Sequence, residues 1–325
     1  MQPEEFTLVR DLIRSFAARH TVASADEITP KSRETAQDSL DSLGLEGLHE
    51  AATVQERALL AEEHARTPLT TSFLGTTLLA PELLRLTGTE LPGRPTLAVT
   101  DTLAWDCDGA DSALHVDPRG TVILRTLGPP ARTADLLRTT RTLTARTLTT
   151  PTPTPRSLTA PPLTTAPEPL ARLTPDARHH WHAYTLVIVS SELTATARAL
   201  VGHATAHARD RHQYGRPIAS FQAVQHLLAD ATVLVEACTS ATRYAAWCLD
   251  HEPPAHALRA ARVAKAEANS SAVEAVYAAM QVFGGIAQTW EHLAHLHLRR
   301  VLVDAALFAG TPDLLSALAA PEATR

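Results

Sequence analysis

A chain of 325 residues with 45% hydrophobic side chains is long enough for more than one core and too apolar to remain disordered. Its formal charge of −6 offers no basic excess for phosphate backbones, which argues against a nucleic-acid partner. Aromatics make up only 4%, so the cores must be built from Ala, Leu and Val, a composition that favours helices.

Residues 1–5 are acidic and lack a basic stretch followed by an apolar one, so no signal peptide is expected. The spacing of Phe6, Val9, Leu12, Ile13 and Phe16 predicts an amphipathic helix over 3–20. Thr29-Pro30 reads as an N-cap followed by proline at the first helical position, and Gly44 ends the helix that follows. Two more helices are predicted over 53–66 and 69–86, before Gly88, Pro92, Gly93 and Pro95 mark a boundary. Residues 96–100 and 121–124 have strand composition with turn chemistry between them, which predicts a small β unit. Residues 127–175 are rich in Thr, Pro, Leu and Arg, with proline and threonine alternating over 151–155. They read as a loop or a few edge strands, the stretch before Pro151 being able to complete the β unit.

From Trp181 onward the period is helical. Helices over 183–210, 219–250, 256–283 and 292–308 with short connectors predict an antiparallel four-helix bundle, and Thr311-Pro312-Asp313 opens a last short helix. Cys238 and Cys248 fall about 15 Å apart along one helix, too far for a disulfide, and with Cys107 they fit a reduced, cytoplasmic setting. No run of about 18 apolar residues predicts a membrane span, and no His-Glu-x-x-His spacing predicts a metal site. The divisions expected are an N-terminal helical domain over 1–93, a reduced β domain with its Thr/Pro-rich loop over 94–175, and the bundle over 176–325.

Three motifs carry more than periodicity. The first is Arg211-His212-Gln213-Tyr214-Gly215-Arg216-Pro217-Ile218 followed by Ser220-Phe221-Gln222-Ala223-Val224-Gln225-His226. The second is Gln281-Val282-Phe283-Gly284-Gly285-Ile286. The third is Thr289-Trp290-Glu291-His292 with Leu296-His297-Leu298-Arg299-Arg300. In this order and spacing they resemble the C-terminal helical domain of the acyl-CoA dehydrogenase flavoprotein family, strongly over 181–318 and weakly before it. The resemblance implies a mainly α fold with a small β domain, FAD, an acyl thioester substrate on CoA or a carrier protein, and dimers or tetramers built through the bundle. It assigns Arg211 to the FAD of a neighbouring subunit, Tyr214 and Gln222 to the adenosine side, and Gln281, Gly284, Gly285 and Thr311 to further cofactor contacts. Read without the resemblance, Arg211 is equally a solvated charge at a helix end and Gly284-Gly285 a helix stop.

The sequence also departs from the family. Its reaction needs a carboxylate against the substrate α-carbon. Where many members place a Glu before the Gly-Thr that opens the last helix, this chain has Ala309, and at the alternative position early in the first bundle helix it has Thr185. Glu291 and His292 are the nearest substitutes by position, with His295, His297 and Asp304 behind them; each also reads as a structural residue. Glu192 is expected in a helix–helix polar contact. The Gly/Ser-rich flavin loop ahead of the β domain is missing, with Thr100-Asp101-Thr102 as its remnant. The resemblance therefore puts first an acyl-CoA dehydrogenase-like flavoenzyme of unorthodox base, with a non-catalytic subunit of a heteromeric dehydrogenase, or a flavin-independent dehydratase, isomerase or cyclase, as the alternatives.

Overall fold

The computed structural model describes residues 1–144 and 169–320. Helix α1 (Pro3–His20) has Pro3 at its start, Glu4 and Glu5 in its first turn and Arg19 and His20 in its last, all favourable to the helix dipole. It buries Ile13, Phe16 and Ala17. Helix α2 (Pro30–Asp41) is capped by Thr29, whose hydroxyl accepts from the Ser32 N–H, and a short α3 (Leu48–Ala51) follows Gly47. Helix α4 (Val54–His64) begins with a reciprocal Thr53–Glu56 capping box.

The helix expected from residue 69 starts later. Ser72 N–H donates to Gln37 Oε1 and Gly75 N–H to Asp106 Oδ2 at 2.7 Å, so side chains take the backbone groups an earlier turn would use. Residues Leu74–Leu79 then form π-helical turns that lead into α5 (Ala80–Thr87). Gly75 is required there, because a Cβ would collide with Thr96 Oγ1 and touch Asp106. Gly75→Ala is expected to cost about 1–3 kcal/mol by overpacking, read as a lower urea midpoint.

The β unit comprises β1 (Pro95–Ala98), β2 (Leu103–Trp105), β3 (Ser112–Val116), β4 (Thr121–Ala131), β5 (Thr140–Thr144) and β6 (Pro169–Arg172). The order β3-β1-β2-β5-β4-β6, with β3 also paired to β4, closes the first five strands into a small ring, and β6 pairs with the first residues of β4. The Thr-rich stretch thus supplies more than edges. β5 has no proline and pairs with β2 on one side and β4 on the other. Pro129 and Pro130 sit in β4 where its register shifts. The alternating prolines at 151–155 lie outside the described residues.

Helix α6 (Pro175–Asp210) starts eight residues before the predicted boundary, with Thr174 as N-cap and Pro175 at its first position. It is followed by two two-residue strands, β7 (His212–Gln213) and β8 (Arg216–Pro217), and by α7 (Gln222–His251), α8 (Pro254–Phe283), α9 (Ala294–Ala306) and α10 (Thr311–Ala319). On α8 the alanines 257, 261, 264, 268, 272, 275 and 279 recur at steps of three and four and are all essentially inaccessible, which lets neighbouring helices approach closely. One core joins the first half of α6 to α1, α4 and the sheet, and a second fills the bundle between the rest of α6, α7, α8 and α9. The segments Pro175–Asp210 and Ala294–Ala319 are long and apolar enough to cross a bilayer by composition. The first is the buried central helix of the bundle, and the second is interrupted between α9 and α10.

Candidate functional site

The loop joining α9 to α10 is fixed on three sides. Ala309 N–H donates to Leu307 O at 2.8 Å, Asn269 Nδ2 on α8 donates to Ala309 O at 3.3 Å, and Phe308 lies edge-on to Trp105 with centroids 6.3 Å apart. Phe308 holds φ at 61°, a costly conformation for a bulky residue and one that clusters at functional sites. Ala309 lines a cavity of about 350 Å³ bounded by β1, β3, α6, α8 and α10, and Thr185 lines the same cavity. The fold therefore brings Ala309 and Thr185, the two positions that the resemblance marks for a base, to one place. Thr185 is 3% exposed and its hydroxyl donates to His182 O at 2.9 Å, so neither side chain can take a proton from carbon.

Four other titratable residues line the cavity: His115, His182, Arg262 and Asp313. Asp313 is exposed in the first turn of α10. His182 stands at the solvent-facing mouth, where desolvation by crowding, then Arg178 and Arg262, pull its pKa below the ordinary histidine value. A larger cavity of about 910 Å³ lies between α2, α3 and α5 and shares no lining residue with this one.

Behind Trp105 the interior is charged. Arg138 stacks its guanidinium 4.2 Å from the Trp105 ring and pairs with Asp106 on the turn after β2, Glu192 on α6 and Asp304 on α9, at 3.1, 2.5 and 3.3 Å. Arg300 on α9 bonds Asp135 at 2.9 Å and Glu192 at 3.2 Å. Glu192 is thus more than a helix–helix contact, since it ties α6 both to α9 and to the loop that leads into β5. Four buried carboxylates face two guanidiniums here. Burial raises the Asp106 pKa to about 6, with Arg138 and the Gly75 N–H pulling against it, and burial with the nearby Glu192 charge raises that of Asp304. Burial works against the Arg138 charge too, yet Glu192, Asp106 and Asp304 raise its pKa further.

The residues assigned to FAD fall in two places. Arg211, Tyr214, Gln222, Gln281, Gly284 and Gly285 are all exposed, on the end of the bundle where α6 finishes, α7 starts and α8 stops. Packing of His207 against Phe283 at 5.0 Å closes this end. Thr311 sits with Ala309 instead; Ala309 is level with Asn269, roughly 18 Å down α8 from Gln281. Tyr214 and Gly215 turn the β7–β8 hairpin at φ 53° and 76°, which leaves the tyrosine ring 92% exposed. Arg211 has no ion-pair partner among the described residues, and a Cβ on Gly284 or Gly285 would meet nothing within 4 Å. A cation, an open aromatic and uncluttered backbone fit a nucleotide held from outside this chain. The flavin-ring side fits less well, because only residues 99–102 join β1 to β2, with Thr100 Oγ1 accepting from the Thr102 and Leu103 N–H groups.

Glu291 and His292 lie before α9, whereas Ala309 follows it, a separation of roughly 20 Å along 13 residues. Glu291 is exposed. His292 packs on Phe283 at 4.7 Å, and its Nδ1 accepts from the Ala294 N–H, which places it as a cap on α9. Trp290 Nε1 donates to Asp26 Oδ1 at 2.9 Å and fastens this motif to the N-terminal segment. His297 is buried with Nδ1–H donating to Thr196 O at 3.1 Å, and burial, then His203, lower its pKa to about 3. Its folded pKa is below the unfolded value of 6.5, so the unfolded chain binds the extra proton between these two and stability must rise with pH across that window. His297→Gln is expected to remove up to about 1.4 kcal/mol per pH unit from this slope, measured by urea unfolding between those limits.

Sequence reasoning did not single out Arg138, Asp106, Arg262 or His182. Each lies in an unmarked context, and what makes them notable is that strands and helices far apart in the chain meet around them. Only the helical period of α8, which puts Arg262 four residues from Leu258, carried a signal that the two share a face.

Residues 187–320 match the acyl-CoA dehydrogenase C-terminal domain family. The acyl-CoA dehydrogenase IpdE2 of Mycobacterium tuberculosis is 28% identical over 97% of this chain and 96% of its own length. Among solved structures, the Tcur3481-Tcur3483 steroid ACAD G363A variant superposes with a TM-score of 0.77 at 20% identity, covering 98% of this chain and 97% of that one. The ChsE4-ChsE5 complex from Mycobacterium tuberculosis superposes at 0.73 with 16% identity and 99% coverage of both chains. These last two establish the fold. Together with the motifs and the bundle, the matches make residues 187–320 an acyl-CoA dehydrogenase C-terminal domain, in a chain that is similar over nearly its whole length to an acyl-CoA dehydrogenase.

Proposed function

We propose that this chain is the base-deficient subunit of an acyl-CoA dehydrogenase-type flavoprotein that acts on acyl thioesters. The observation that carries the reading is the convergence of Ala309 and Thr185 on one cavity with no acid at either position. The short β1–β2 turn and the outward-facing Arg211 end support it, since they suit a chain that contributes to another subunit's cofactor more than one that encloses its own. Arg211 would pair with the FAD pyrophosphate, Tyr214 and Gln222 would flank the adenosine, and Gln281 with Gly284-Gly285 would let backbone approach it. FAD, when bound, supplies the hydride acceptor, and a sister acyl-CoA dehydrogenase subunit supplies the carboxylate. The ChsE4-ChsE5 complex, which shares this fold, is a pairing of two proteins and offers a precedent for such an assembly. The buried free thiols Cys107, Cys238 and Cys248 suit a reducing, cytoplasmic setting.

The test is flavin content. Expressed alone and given FAD, the chain is expected to remain nearly colourless after gel filtration; co-expressed with its sister subunit, it is expected to co-elute in a yellow complex. A stoichiometric flavin on the isolated chain would refute the reading.

A further inference from the structure

We propose that the cavity at Ala309 binds an acyl group bearing its own carboxylate, seated against Arg262 of α8. This deepens the function proposed above and rests on its acyl-thioester reading.

Arg33, Arg57, Arg138, Arg243 and Arg300 are all in ion pairs with carboxylates. Arg262 is half-buried and lines the cavity, yet no carboxylate among the described residues comes within 4.0 Å of it. Burial lowers its pKa and no acid offsets that effect. A partly desolvated guanidinium without a counter-ion is unfavourable until a ligand supplies one, and a carboxylate matches its planar fork with two parallel hydrogen bonds. His182 adds donor capacity beside it. His115 is already matched by Asp101 at 3.3 Å. Asp313 is exposed on the α10 side and forms no ion pair with Arg262, so the α8 side is where an anion is favoured. Leu97, Leu114 and Leu258 supply an apolar wall for methylene groups. At about 350 Å³ the cavity is at the small end of ligand sites, enough for an acyl chain with the CoA or pantetheine arm left outside.

Isothermal titration of the full chain with glutaryl-CoA and butyryl-CoA tests this. Glutaryl-CoA is expected to bind at least about tenfold more tightly, the effect of one charge-assisted pair. Arg262→Ala should bring glutaryl-CoA down to the butyryl-CoA level and leave butyryl-CoA unchanged, with Arg262→Lys in between. Equal affinities in the unaltered chain, no binding of either, or an Arg262→Ala that weakens both alike would overturn the site. The two readings fail separately. Flavin bleaching by glutaryl-CoA on the chain alone would refute base deficiency and leave the carboxylate site standing. Equal binding of the two thioesters without bleaching would do the reverse.

Discussion

Replacing Arg138 with methionine is expected to destabilise the protein by about 3–5 kcal/mol, the cost of stripping the cation from a buried ion cluster. The side chain is 1% exposed and joins Asp106, Glu192 and Asp304, which come from the sheet, α6 and α9. Methionine fills much of the volume but leaves Asp106 and Asp304 without an ion-pair partner among the described residues, with Glu192 still held by Arg300, so protonation must replace charge pairing. Because Asp106 already titrates near 6, the variant should recover part of its stability in acid, where the carboxylates are neutral. Arg14 provides the contrast. It pairs with Glu63 at 2.7 Å but is 43% exposed, and its replacement by alanine should cost less than about 1 kcal/mol. Urea unfolding of the two variants side by side checks this; similar losses would mean that the cluster does not organise the interior. A second consequence follows because Trp105 carries the Arg138 guanidinium over its ring and also meets Phe308 edge-on: loosening the cluster should also loosen the Ala309 loop.

The second large effect is on cofactor. Arg211→Ala is expected to lower the FAD affinity of the assembled protein about tenfold to a hundredfold, the loss of one or two charge-assisted hydrogen bonds. Its exposure and lack of an ion pair among the described residues predict an unfolding free energy within about 0.5 kcal/mol of the unaltered chain. Flavin retained through dialysis, measured by absorbance, separates the two effects. If the variant keeps its flavin, Arg211 is a solvated helix-end charge and the nucleotide surface lies elsewhere.

Much of the helical architecture was legible because helices announce themselves locally. The alanine steps of α8 and the Thr29-Pro30 start of α2 need only neighbours a few residues away. The motifs at Arg211 and Gln281 were each legible for the same reason, and the fold brings the two, 70 residues apart in the chain, to one end of the bundle. The β unit was harder. β5 lies in the threonine-rich stretch that reads as loop or as part of the β unit, and only its pairing with β2 and β4 decides for a strand. The start of the helix after α4 was misplaced because Asp106, more than 30 residues away, captures the Gly75 N–H. The Arg138 cluster and the Arg262 cavity were invisible for a related reason. Their members are single charged residues whose meaning depends on partners from three or four distant elements, and no spacing rule links Asp106, Arg138, Glu192 and Asp304.

The central claim is that this chain supplies no base of its own. The most direct measurement is anaerobic addition of an acyl thioester, butyryl-CoA or glutaryl-CoA, to the chain purified alone and incubated with FAD, following the flavin absorption band. The account predicts no bleaching from the isolated chain, and bleaching once the sister subunit is present. Stoichiometric bleaching on the chain alone would show that a residue of this cavity takes the α-proton after all, and would contradict the account.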